Sequence, residues 1–395
     1  MSTHIPNFNQ TELAFKYKTT TQLQKTHFVF KLFNYPFLVK FLSGGAALIL
    51  KYKLPGKFLI KQTVFKVFCA GENLHQAFIT IGNLMQYKVK SVLDYVSESE
   101  NNQAGYKQNA IRIKQNINAL AIKYPGHYIS IKITGLEDYD FLKRSNFLLN
   151  EKSSDNKVRF NQLLTTIDEI CAEAHAHNIT IYFDAEERCT QDIYDYIVEQ
   201  MMQKYNTKKA VIFNTLQMYL TDRIVYLNNL IALSKKNNFY AGVKIVRGAY
   251  HEKENERAEE AGVPSPVFKT KADTDKSFDM AIDICLANMQ TTHLCIASHN
   301  EESITHAIAE VNRLNIADAK EKISFSQLLG MSDNLTFNLA HAGFEVSKYL
   351  PYGEIEKAIP YLIRRANENK TVNGQMNREL ELITKEVKRR RETNA

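Results

Sequence analysis

The sequence predicts a (β/α)8 TIM-type barrel preceded by an N-terminal α-helical arm, on three observations. From about Tyr87 onward, eight short β-branched runs recur, and each is followed by an amphipathic segment of helical period. An open doubly wound sheet would use fewer strands and show a Gly-rich phosphate turn, yet no G-x-G-x-x-G or Walker sequence occurs. Before Tyr87 the pattern is helical and aromatic-rich (Phe28, Phe30, Phe33, Phe37, Phe65, Phe68), with little β alternation. The expected organisation is therefore an arm over 1–86, a barrel over 87–370 and a basic C-terminal tail over 371–395.

With 44% hydrophobic and 24% charged residues, the 395-residue chain has the composition of a soluble globular protein. The net charge of +7 is uneven: between Lys16 and Lys66 lysines are frequent and acids absent, and Lys385 to Arg391 is basic again. Such patches attract nucleic acid or an anionic membrane. No zinc spacing, RNP-like run or helix-turn-helix supports nucleic acid. Five scattered cysteines (Cys69, Cys171, Cys189, Cys285, Cys295), none paired at ligand spacing, indicate a reduced intracellular protein and no metal site. The apolar piece Phe37 to Leu50 contains Lys40 and Gly44-Gly45, is too short to span a bilayer, and lies too far in to be a secretory signal. It reads as a helix packed on the main domain, with an interfacial helix as the alternative.

In chain order, the first run, Lys88 to Leu93, leads into Asp94-Tyr-Val-Ser-Glu98. The second, Tyr128 to Ile133, carries Lys132, read either as an outward snorkelling residue or as an inward cation paired with acids. The third, Ile179 to Phe183, ends in Asp184-Ala-Glu-Glu187, whose carboxylates suit either charge pairing with a buried lysine or plain helix capping. The fourth, Ala210 to Phe213, offers Gln217 and Tyr219 beyond it, an amide and a phenol able to hydrogen-bond a heteroaromatic edge. The fifth places Lys244 and Arg247 on either side of a β-run, ahead of a Gly248-Ala249 step that lets a large flat ligand approach the backbone. The sixth, Leu294 to Ala297, ends in Ser298-His299-Asn300; His299 suits acid–base work or hydrogen bonding better than metal, having no second histidine at ligand spacing. His175 and His177, two apart on a helix, are surface residues. The seventh, Ile323 to Phe325, runs into an apolar lip around Leu328.

The eighth run ends at Tyr349, with Pro351 and Gly353 as breakers, before a helix carrying Tyr361, Arg364, Arg365 and Glu368 at spacings of three and four. Guanidinium forks grip carboxylates in bidentate fashion, so this pair beside Tyr349 suits a small amino acid; a solvated terminal helix is the plainer reading. With cations, amides, aromatics and carboxylates at its mouth but no Ser-His-Asp set or metal cluster, the barrel looks built around a borrowed cofactor.

Taken together, Asp184-Ala-Glu, Gln217-x-Tyr219, Lys244-x-Val-Arg-Gly-Ala-Tyr250, Ser298-His-Asn300, Gln327-x-x-Gly-Met331, Tyr349-x-Pro-x-Gly353 and Arg364-Arg-x-x-Glu368 resemble the proline dehydrogenase family from about Tyr87 to Asn369. The resemblance implies a distorted barrel holding FAD. It implies oxidation of L-proline to Δ1-pyrroline-5-carboxylate, with electrons passed to a membrane quinone. It assigns Arg364 and Arg365 to the proline carboxylate, with Lys132 nearby, Tyr349 against the ring, Leu328 and Tyr250 as walls, and Glu98 as the acidic partner of the first arginine. Asp184, Gln217, Lys244 (near flavin N5), Val246, Arg247, Gly248, Ala249, Ser298 and His299 would line the FAD, and Asp184 would also balance Lys132 at the active site. Asp184 and Lys244 are the implied catalytic pair.

Lys244 stands where some family members carry Arg, keeping the charge and losing the fork. A related hydroxyproline-oxidising group has a smaller residue at the place of Tyr349, which favours proline here. The rival readings are a hydroxyproline dehydrogenase, another flavin barrel such as methylenetetrahydrofolate reductase, and a barrel-derived binding protein without turnover. The expected location is the cytoplasm, with peripheral contact on the inner face of a respiratory membrane.

Overall fold

The computed structural model describes residues 5–33, 57–96, 102–144, 155–316, 319–371 and 373–393; for 33, 57, 59, 364–371 and 373–376 it describes the backbone alone. Eight parallel strands close into a barrel in sequence order: β1 (Lys90–Tyr95), β2 (Tyr128–Ile131), β3 (Thr180–Phe183), β4 (Ile212–Gln217), β5 (Ala241–Val246), β6 (Thr292–Ala297), β7 (Ile323–Leu328) and β8 (Glu345–Tyr352). Parallel neighbours need a crossover, and helices supply it. All eight predicted runs are strands, with shifted ends.

Three shifts matter for function. β4 starts and ends later than its apolar run, so Asn214, Thr215 and Gln217 are strand residues. Alternation misses this because these polar side chains are buried, and the Asn214 amide, for example, donates to Asp195 Oδ1 at 2.7 Å. β7 continues to Leu328. β8 runs through Pro351 instead of breaking there: Pro351 has no N–H to give, but its carbonyl accepts from Ala70 N at 2.8 Å, and the chain turns only at Gly353, φ +148°.

The chain divides into two compact units. One comprises 98–298 with 303–324 and holds β2 to β6 with their crossover helices. Helix starts there follow side-chain chemistry: Asn102 accepts from Gly105 N at 2.8 Å, and Thr270 from Asp273 N at 3.1 Å. A buried network of Arg223, Asp195, Gln191 and Asn214 ties the helices Arg188–Tyr205 and Arg223–Asn237 to β4, with Arg223 Nη1 2.6 Å from Asp195 Oδ2.

The other unit comprises 3–97, 299–302 and 325–395. Its arm helices Thr11–Phe15 and Thr20–Phe33 share one apolar cluster with the two last helices, Ile355–Thr371 and Asn373–Thr393. Phe15, Leu23, Phe30, Phe65 and Phe68 meet Ile359, Leu362, Leu382 and Ile383, all at most 4% exposed. The stretch beyond 371 is thus helical, and its Arg390 donates to the carbonyls of Phe15 and Lys18 at 2.8 Å each, closing the end of the first arm helix. No helix among the described residues is long and apolar enough to cross a membrane, and Phe37 to Leu50 lies outside them.

Candidate active site

The strand ends of the first unit converge on one carboxylate. Asp184, just past β3, accepts a hydrogen bond from Lys244 Nζ of β5 at 2.6 Å, while Lys132 Nζ, just past β2, lies 3.5 Å from its other oxygen. Lys132 is thus an acid-paired cation at the strand end, 36% exposed, and Lys244 is almost fully buried. The Lys244 ammonium also stands over the Tyr182 ring, 5.3 Å from its centroid, and Tyr182 stacks on Tyr128. An ammonium this buried is tolerable because a carboxylate and a π-face replace its water.

The acidic turn after β3 is split three ways. Asp184 takes the two lysines. Glu186 accepts from Thr134 Oγ1 at 2.8 Å and Tyr194 OH at 2.7 Å; burial pushes its pKa up, against these bonds and the Lys132 charge. Glu187 takes Lys253 Nζ at 2.6 Å, Tyr139 OH at 2.8 Å and the Arg257 guanidinium; burial would raise its pKa, but these partners hold it below the usual carboxylate value. Gln217 Nε2 donates to the Glu186 carbonyl at 2.6 Å, fixing the amide beside this turn.

Arg247, half-buried past β5, is locked in place. Its guanidinium donates to Asp275 Oδ1 at 2.7 Å, Ser298 Oγ at 2.9 Å and Ser303 Oγ at 3.0 Å, and lies 4.4 Å from the Phe278 ring centroid. Val246 and Arg247 give their carbonyls to Met218 N and Tyr219 N at 2.8 Å. Gly248 has φ +128°, and a Cβ there would meet Tyr219 Cδ1 at 2.1 Å. The glycine is thus demanded by its own backbone and by the Tyr219 ring behind it. Gly248 and Ala249 are exposed, and Tyr250 precedes the helix His251–Ala261. Main chain left open beside a fixed guanidinium, a fixed amide and a buried ammonium has the chemistry for a flat heteroaromatic group with anionic appendages, so these residues fit a flavin nucleotide.

In the second unit His299 Nδ1 lies 2.9 Å from Ser332 Oγ, a hydrogen-bonding role. Leu328 ends β7, and the next residue, Leu329, donates its N–H to the Tyr349 carbonyl at 3.0 Å, which brings two predicted substrate walls together. Arg364, Arg365 and Glu368 lie on the helix Ile355–Thr371, with side chains outside the described residues; Glu98 is outside them altogether.

Sequence reasoning missed a buried charge cluster under the loop after β7. Asp333 lies 2.7 Å from Lys18 Nζ and 2.9 Å from Lys348 Nζ, accepts from Tyr17 OH at 2.8 Å, and sits with Lys348 at 0% side-chain exposure. Lys348 also donates to the carbonyls of Leu328 (3.2 Å) and Met331. Burial would raise Asp333, but Lys18 and Lys348 bring it down to about 2; burial lowers Lys348. The signal was present in β8, where a lysine sits at an inward register between Val346 and Leu350, but its partners are remote in sequence.

A closed parallel barrel that gathers charge at the carboxyl ends of its strands is the frame of a (β/α)8 enzyme. Residues 77–378 match the family profile described as proline dehydrogenase. The chain belongs to the proline dehydrogenase family and is an oxidoreductase of that family. It is 32% identical over 420 residues to the Dictyostelium discoideum protein named proline dehydrogenase 1, mitochondrial, covering 94% of this chain and 73% of that one. It is 28% identical over 415 residues to the Xenopus laevis protein named hydroxyproline dehydrogenase, covering 95% and 89%. Among solved structures, proline utilization A (PutA) from Bdellovibrio bacteriovorus, inactivated by N-propargylglycine, shares the fold with a TM-score of 0.72 at 21% identity over 80% of this chain. The chain spans 34% of that protein's length.

Proposed function

We propose that the protein oxidises L-proline to Δ1-pyrroline-5-carboxylate using FAD, with a quinone as the onward electron acceptor. The observation that carries this reading is Asp184 held between Lys244 and Lys132 at the strand ends, next to the locked Arg247 and the bare backbone at Gly248. In this reading Gln217, Lys244, Val246, Arg247, Gly248, Ala249, Ser298 and His299 hold the FAD, which supplies the two-electron acceptor for the hydride leaving proline C5. Proline nitrogen gives up a proton in the same oxidation, closing the C=N bond.

The chain's own groups do the rest. Arg364 and Arg365 grip the carboxylate, so that C5 is presented in one orientation. Tyr349, Leu328 and Tyr250 wall the ring and keep water off it, and Glu98 pairs with Arg364 when substrate is enclosed. Lys244, fixed by Asp184, supplies positive charge where negative charge develops, at no cost of reorganisation. Arg364→Ala and Arg365→Ala should each weaken proline binding by about 2 to 5 kcal/mol with FAD affinity retained. Unchanged proline kinetics in both variants would remove the clamp.

Oxidation of hydroxyproline is a second reading, favoured by the name of the Xenopus relative. Tyr349, at a position where a ring hydroxyl needs room, speaks for proline. The boundaries 1–86, 87–370 and 371–395 belong to the same proposal, as does a cytoplasmic protein touching the inner face of a respiratory membrane through its basic arm. Co-sedimentation with anionic vesicles at low salt tests that contact, and a protein that stays in the supernatant refutes it.

A further inference from the structure

We propose that Glu379, on the last helix, is a positioning residue for His299, acting through the backbone and hydroxyl of Ser332. The inference rests on the reading of His299 as a cofactor contact. Ser332 has φ +49° and ψ +46°, a left-handed conformation that a residue with a Cβ avoids unless its surroundings over-determine it. Three contacts do so. Its N–H donates to Glu379 Oε2 at 2.7 Å in a buried setting. Its carbonyl accepts from the N–H groups of Leu335 and Thr336 at 3.1 Å and from Thr336 Oγ1 at 3.2 Å. Its hydroxyl lies 2.9 Å from His299 Nδ1. A hydroxyl on Nδ1 fixes the plane of the imidazole and couples its tautomer to the orientation of that hydroxyl, leaving Nε2 as the ring's other polar atom.

A buried acidic side chain is a costly way to satisfy one backbone N–H. Glu379 is 7% exposed, and the groups around it are Asp333 on its own sign and Lys348, Lys18 and Tyr17. Two acidic side chains and two lysines thus share one enclosed cluster, and Ser332, through its N–H and its hydroxyl, links it to His299. Three segments remote in sequence, the end of β6, the loop after β7 and the last helix, are joined in this way.

The structural alternative is that Glu379 merely seats the last helix against the helix Asp333–His341. The two roles separate by double-mutant analysis of FAD affinity, read from flavin fluorescence on dilution of the holoenzyme, together with the ring-nitrogen shifts of His299. Glu379→Ala and Ser332→Ala should each weaken FAD binding by roughly tenfold, the loss of one hydrogen bond's worth of order. Neither should weaken it further in a His299→Ala background. Glu379→Gln retains an oxygen acceptor for Ser332 N–H and should restore both the affinity and the wild-type His299 shifts. Additive losses, or His299 shifts unmoved by Glu379→Ala, overturn the positioning role. If His299→Ala alone leaves FAD affinity unchanged, the assignment of His299 to the cofactor has failed, and the nitrogen shifts still decide whether Glu379 sets the ring.

Discussion

Removing the carboxylate of Asp184 should cost more stability than removing Lys244, and removing both should cost less than the sum. At 2.6 Å and an effective dielectric of about 20, the Lys244–Asp184 attraction is roughly 6 kcal/mol, and desolvation of two nearly buried groups offsets most of it. The net worth of the intact pair is therefore small. Breaking it is another matter. Asp184→Asn removes the counter-charge of an ammonium that is 4% exposed, a loss of about 3 to 5 kcal/mol. Lys244→Met leaves Asp184 with Lys132 at 3.5 Å, partly solvated, so its cost should be lower, about 1 to 3 kcal/mol. The double variant buries no unpaired charge, and a coupling of about 2 to 4 kcal/mol should appear in the cycle. Urea unfolding of the four proteins at saturating FAD measures it. Additivity within about 0.5 kcal/mol, or Lys244→Met being the costlier change, would refute the reasoning.

Gly248→Ala should be among the worst small substitutions in the chain, because φ +128° and a Cβ 2.1 Å from Tyr219 Cδ1 penalise it twice. A loss of about 2 to 4 kcal/mol is expected, with reduced flavin retention, and an unchanged melting temperature would show the ring moves aside freely. The pH dependence of stability has a definite sign at Glu379: burial first, then the Asp333 charge, raises it from 4.5 to about 7, so the folded protein holds this proton more tightly than the unfolded chain. The contribution, about 3 kcal/mol, is complete below pH 4.5 and is lost as pH rises through about 7. Asp333, lowered to about 2, works the other way and is lost only as pH falls through that value. Urea midpoints should therefore decline between about pH 5 and 8 in wild type and flatten in Glu379→Gln, and a parallel decline in both would sink the assignment.

The barrel could be read from sequence because parallel strands covered by helices leave short β-branched runs at regular intervals, a pattern that survives without any tertiary knowledge. Strand ends survived less well. Asn214, Gln217 and Ser326 are polar and buried, and hydrogen-bonding neighbours there replace the alternation that marks a half-exposed strand. The ambiguous residues at the mouth resolved by distance: Lys132 reaches Asp184, and the three acids after β3 serve three different clusters. What stayed hidden was long-range. Nothing near Glu379 in sequence marks it as buried, since the residues around it read as a charged amphipathic helix; its partner Ser332 is 47 positions away. The role of Lys18 is hidden in the same way, by the 315 positions between it and Asp333.

In the proposed reaction the charged strand ends orient an imino acid against a flavin bound by this same barrel. Anaerobic titration of the purified protein with L-proline, followed through the yellow flavin band and compared with hydroxyproline, tests it most directly. Bleaching by proline at lower concentration than by hydroxyproline, and loss of that bleaching in Arg365→Ala, is the predicted result. A protein that binds no flavin, or a flavin that stays oxidised in saturating L-proline, would contradict it.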